Sequence, residues 1–182
     1  NFPEIDEVGI ETLDAISFAP RFNKWMYETI KKHCNGKILE VGSGIGNISQ
    51  HFINENYSIE LSDIRDNYLD ILKENYGGQV ADIFKMDLTD PEFNRKFEHK
   101  FDSYDTVFAL NVIEHIEDDA LAIKNAKKLL KKDGKLIILV PAFQLLYNSF
   151  DTALEHYRRY TQKGLNALLD TEFSVQHSQY FN

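Results

Sequence analysis

The sequence predicts an α/β domain built on a doubly wound, mostly parallel sheet. Three observations carry that prediction. Short apolar, β-branched runs alternate with stretches of helical spacing. One run, 136–140 (LIILV), is apolar throughout, as a strand covered on both faces is. A glycine cluster, Gly42, Gly44 and Gly46, follows the first run directly. The 182 residues are 43% hydrophobic and 27% charged, without repeats, low-complexity tracts or Pro/Gly/Ser linkers. One domain over 1–182 follows, with a helical N-terminal segment (1–36), a central core (37–141) and a closing loop, helix and strand (142–182).

The elements read in order. Residues 37–41 (KILEV) form the first strand, and a helix runs from the glycines to about Phe52. Residues 57–61 and 67–75 (NYLDILKEN) give the second strand and helix. A short strand at 83–86 leads to Asp90 and Pro91, an N-cap with proline at the first helical position. Residues 106–110 (TVFAL) are the fourth strand. From Asp119 to about Lys131, Leu121, Ile123, Ala126, Leu129 and Leu130 recur at helical spacing. Acids open that helix and lysines close it, as its dipole favours, and Gly134 is expected to stop it in a left-handed conformation. The fifth strand follows at 136–140. Thr161 caps a helix to Leu169, and 172–181 (EFSVQHSQYF) reads as a sixth strand.

Composition excludes several classes. Lys and Arg number 20 against 29 Asp and Glu, a net charge of −9, so no nucleic-acid partner is expected. No apolar run approaches the roughly 20 residues of a membrane helix, and no export signal opens the chain. One cysteine, Cys34, rules out a disulfide framework and suits a reducing, cytoplasmic compartment; it reads as a packed small residue.

In an open parallel sheet, ligands bind beyond the carboxyl ends of the strands, where the strand order reverses. Residues 40–47 (EVGSGIGN) are expected there. The third glycine arrives one residue early for the dinucleotide fingerprint, and no Gly-Lys-Ser/Thr follows to cradle phosphate. Glu40 would repel a pyrophosphate and welcome a cation. S-adenosylmethionine, which lacks phosphate and carries a sulfonium and an ammonium group, suits such a loop better than NAD.

Residues 38–49 (ILEVGSGIGNIS) resemble the first motif of the class I S-adenosylmethionine-dependent methyltransferases. Later motifs follow in register: Asp63 at the second strand end, 85–88 (KMDL) and 104–117 (YDTVFALNVIEHIE). The flanking segments, an N-terminal ETLDAI…FNKWMY stretch that includes Phe18 and an EHYRRYT stretch, resemble a narrower, small-molecule group of the type 11/12 kind. The resemblance implies a Rossmann-like sheet of order 3-2-1-4-5-7-6. The chain stops after six predicted strands, so the C-terminal strand is expected to be missing and the fifth strand to carry a bare edge. The resemblance also implies cofactor-binding residues. Glu40, Gly42, Ser43, Gly44 and Gly46 would line the methionine and ribose portions. Asp63, beside Ile64, would take the ribose hydroxyls, and Asp87 the adenine amino group with the Leu88 N–H. Asn111 and Val112 would lie near the methyl.

Methyl transfer from a sulfonium is an in-line displacement, so alignment and exclusion of water matter most. An oxygen or nitrogen acceptor benefits from a base near neutral pKa, which points to His115 and, in the second cluster, His156. Glu114 and His115 alone supply too few ligands for a metal, and none is expected. Arg158 and Arg159, framed by Tyr147, Tyr157 and Tyr160, suggest a small acceptor with an anionic group, glycan- or lipid-linked, unless they pair with acids such as Asp151 or Glu155. Trp25 or Tyr27 is a candidate lid over the cofactor. The competing readings are an NAD(P)-dependent oxidoreductase and a cofactor-binding module without catalysis.

Overall fold

The computed structural model describes residues 20–180; the ETLDAI segment, Phe18 and Phe181 lie outside them. Helix α1 (Pro20–Lys31) precedes β1 (Ile38–Val41), α2 (Ser49–Asn54), β2 (Ile59–Asp63), α3 (Asp66–Tyr76) and β3 (Ile83–Lys85). Then come α4 (Phe93–Phe97), β4 (Tyr104–Leu110), α5 (Asp119–Leu129), β5 (Leu130–Leu139), α6 (Ser149–Ala153) and α7 (Gln162–Leu169).

The sheet is parallel throughout, in the order β3-β2-β1-β4-β5. The order reverses between β1 and β4, the position where open sheets form their crevice. Register brings Val41, Ser62 and Ala109 level at the carboxyl edge. Side chains alternate across the sheet and build two cores. Leu39, Val41, Val107 and Ala109 pack with Ile123, Ala126 and Leu129 of α5. Ile38, Ile59, Leu61 and Phe108 pack with Phe52 of α2, Leu72 of α3 and Met26, Tyr27 and Ile30 of α1. Every residue of β1 and β2 is buried, the polar Glu40, Glu60, Ser62 and Asp63 among them.

Several expectations need correction. Gly134 does not end α5: the helix passes at Leu129 straight into β5, and the left-handed residue is Asp133 (φ 64°). Gly134 instead allows close backbone approach, since a Cβ there would lie 2.9 Å from the Lys131 carbonyl and 3.1 Å from that of Tyr104. Pro91 sits in a turn before α4, where Asp90 accepts from the Glu92 N–H at 2.8 Å. The sixth strand is absent from 172–180. Among the described residues no strand pairs with that segment, and side chains anchor it instead. The Gln162 amide donates to the Ser178 carbonyl (2.8 Å), the Tyr180 hydroxyl accepts from the Gln162 N–H (2.8 Å), and the Tyr180 ring stacks on Phe143. Among the described residues β5 is therefore an outer strand, half-buried rather than covered on both faces. The Thr161 cap is present, accepting from Gly164 at 3.1 Å.

Gly46 holds φ at +89°, and a Cβ there would meet the Tyr76 ring of α3 at 2.5 Å. Gly46→Ala is therefore expected to destabilise the fold by at least about 1 kcal/mol, read as a lower urea midpoint with an unchanged slope.

Candidate functional site

The glycine loop leaves β1 and folds back over β2. The Gly42 and Ser43 N–H groups donate to the Ser62 carbonyl, each at 2.9 Å, and Gly44 donates to Asp63 Oδ2 at 2.9 Å. Gly42 lies at φ +74° with Val112 pressed against it; a Cβ would reach Val112 Cγ2 at 2.4 Å. Loop, β2 end and β4 end thus form one surface.

Two of the predicted cofactor acids, Glu40 and Asp63, lie close together along this edge, and Asp87 follows the neighbouring strand. Glu40 shares the sheet face of Ile38 and is 4% exposed; its Oε2 accepts from the Ser49 hydroxyl of α2. Burial pushes its carboxyl up to about 8, the Ser49 bond opposes that, and nearby Asp63 adds to it. Asp63 is also raised by burial, although the Arg65 and Gly44 N–H groups donate to it. Asp87 follows β3 and accepts from the Thr89 N–H (2.7 Å) and hydroxyl (2.8 Å), while the adjacent Met86 N–H donates to the Asp63 carbonyl (3.0 Å). Ile64 is half-buried; Leu88 is buried and held by the Asn125 amide. Asn111 follows β4 directly at φ +55°, exposed, with its N–H on the Leu139 carbonyl. The chemistry of this edge fits a cation-bearing ligand with hydroxyls: buried carboxyls stand beside a glycine-rich loop.

The predicted bases also meet. His115, in the turn after β4, and His156, before α7, stand edge to face with ring centroids 4.6 Å apart. Glu114 is fully buried beside them, both its oxygens lack a hydrogen-bond partner, and burial pushes its carboxyl up to about 8. Glu114, His115 and His156 are the one set, among the described residues, whose ligand atoms (within 4.8 Å of one another) are placed to share a metal ion. Sequence spacing could not show this convergence.

The arginines are placed differently from an open anion site. Arg159 grips Asp151 through Nε (2.7 Å) and Nη2 (2.8 Å), and Arg158 bonds Asp119 (2.8 Å) and the Glu117 carbonyl (2.7 Å). Both stand in ion pairs within the fold, the second of the two readings their sequence allows. Tyr147 donates to the His156 carbonyl (2.6 Å), while Tyr157 is exposed and its N–H donates to the Glu114 carbonyl. Sequence reasoning missed the role of Asp151 as a buried anchor. Its carboxylate meets His156 Nδ1 at 2.9 Å and closes a capping box on α6, and Arg159 foremost holds it well below the usual carboxylate range. With Nδ1 facing a carboxylate, the lone pair of a neutral His156 sits on Nε2. No periodicity marks the 151, 156, 159 spacing. Cys34 is packed as expected, with burial pushing its thiol up to about 12. Tyr27 is core, stacked on His51 and edge-on to Phe52, whereas Trp25 is 40% exposed.

Glu40 and Glu114 make stability fall with rising pH. Between about 4.5 and about 8 the folded chain keeps protons that the unfolded chain has released, so the slope is negative. Glu40→Gln and Glu114→Gln are expected to flatten this fall, each gaining about 1 kcal/mol or more over the parent at pH 8 relative to pH 5, measured by denaturant unfolding.

The methyltransferase domain family model matches residues 39–136. The chain is 31% identical over 115 residues to a highly reducing polyketide synthase of Pyrenophora dematioidea, covering 57% of this chain and 4% of that protein. It is 29% identical over 147 residues to the mitochondrial methyltransferase OMS1 of Saccharomyces cerevisiae, covering 72% of this chain and 30% of that one. It spans under a third of either relative. In fold it matches phosphoethanolamine N-methyltransferase 2 of Haemonchus contortus, solved with S-adenosyl-L-methionine. The TM-score is 0.64 at 20% identity, covering 81% of this chain and 36% of that one. No helix among the described residues is long and apolar enough to cross a membrane. The chain belongs to the methyltransferase domain family, within the class I S-adenosylmethionine-dependent methyltransferases.

Proposed function

We propose that this chain methylates an oxygen or nitrogen of a small acceptor, with His156 as the base and His115 beside it. The observation that carries the reading is the pairing of buried Glu40 and Asp63 beneath the glycine loop. Such an edge disfavours a pyrophosphate and favours a positively charged ligand. In this reading Asp63 holds ribose hydroxyls, Asp87 and Leu88 hold the adenine edge, and the loop of 42–46 lies along the methionine portion. Ile64, Asn111 and Val112 shape the same crevice. When bound, S-adenosylmethionine supplies an electrophilic methyl on a good leaving group.

The chain's own residues then align the acceptor and take its proton. His156 receives that proton at Nε2, and Asp151 stabilises the resulting imidazolium through Nδ1. Arg159 and Arg158 serve by holding the loop that carries His156. Tyr147, through its bond to the His156 carbonyl, and Tyr157, exposed beside the Glu114 backbone, border the acceptor.

Titration with S-adenosylhomocysteine and with NAD tests the cofactor; saturable binding of S-adenosylhomocysteine alone is expected, and binding of NAD alone overturns the reading. His156→Ala is expected to lower turnover on the true acceptor by roughly 100-fold or more with S-adenosylhomocysteine affinity unchanged. Full activity in both His156→Ala and His115→Ala would remove the base assignment.

A further inference from the structure

On the far side of β4 from the glycine loop, a cleft of about 700 Å³ opens between α1, the end of β5 and α7. Asn111 lines its inner end, at the carboxyl tip of β4. Its walls are largely apolar, built from Phe22, Trp25, Val140 and Leu165. Phe22 and Trp25 stack at 5.9 Å and stay 47% and 40% exposed, so their rings present apolar surface to the cleft. Among the described residues lining the cleft, Arg21 alone is charged. A lone guanidinium beside apolar walls, in a chain of net charge −9, selects ligands by sign.

We infer that this cleft takes an amphipathic anion, its aliphatic or aromatic body against Phe22 and Trp25 and its carboxylate or phosphate on Arg21. That the anion is the methyl acceptor rests on the proposed function, since Asn111 joins the cleft to the cofactor crevice; the preference for an anionic amphiphile rests on the cleft alone. Arg21 thereby takes the role that the ion pairs of Arg158 and Arg159 deny to them.

Trp25 is the only tryptophan in the chain and lines the cleft, so its emission reports occupancy directly. The chain is titrated with octanoate, 1-octanol and octylamine below their aggregation limits. Octanoate is expected to shift Trp25 emission saturably and more tightly than the alcohol or the amine. Arg21→Gln, an exposed change that leaves the fold intact, is expected to weaken octanoate about tenfold and leave 1-octanol unchanged; Arg21→Lys should restore part of the loss. A flat Trp25 response, equal affinity for octylamine, or an Arg21→Gln chain that binds octanoate as the parent does would each overturn the inference. S-adenosylhomocysteine binding, followed separately by calorimetry, keeps the two readings apart. Its loss with octanoate binding intact counts against methyl transfer, and the converse counts against the cleft.

Discussion

A carboxyl in the middle strand of a parallel sheet must keep its proton or acquire a positive neighbour. Glu40 is in that position, sealed between β2 and β4, with the Ser49 hydroxyl at its oxygen and Asp63 close by. The glycine loop, the start of α2 and the end of β2 are arranged around this one group. A cation beside such a buried carboxyl offsets the cost of its charge, and a second anion adds to it.

The two sides of the crevice are built on different principles. On the cofactor side, backbone donors and acids are fixed by the strand register itself. On the other side, positions depend on side-chain networks within the loop of 140–160. Asp151 is the hub, joined to His156, Arg159 and the Asn148 N–H. Arg158 ties the same loop to Asp119 at the start of α5, and Tyr157 ties it to Glu114. The His156 imidazole is therefore presented by a braced loop rather than a regular element, and the bracing uses the charges that a sequence reading would offer to a ligand.

Legibility followed the same division. Strands β1 and β4 could be read because each is a mostly apolar run closed by a polar or glycine punctuation, and Glu40, Asp63 and Asp87 stood out near the strand ends. The path from α5 to β5 could not be read: lysines 127 to 132 continue a helical charge pattern, while the ladder contact between Tyr104 and Leu130 ends the helix earlier. Residues 172–180 alternate like a strand, but alternation has no force without a neighbouring ladder. The joining of Asp151 to His156 depends on how a loop closes, which leaves no periodic trace. The cleft beside Trp25 joins α1 to β5, elements distant in sequence, and only their packing reveals it.

The alternation within β1 has an evolutionary consequence. Leu39 and Val41 serve one layer, Ile38 and Glu40 the other. Adding or deleting a single codon inside this strand would swap Glu40 with an aliphatic neighbour, stranding an acid in the α5 core and leaving the loop without its charge in the same event. Drift in this strand is therefore confined to substitutions, whereas at Gly78, where an added Cβ meets nothing, a side chain of either character finds open space.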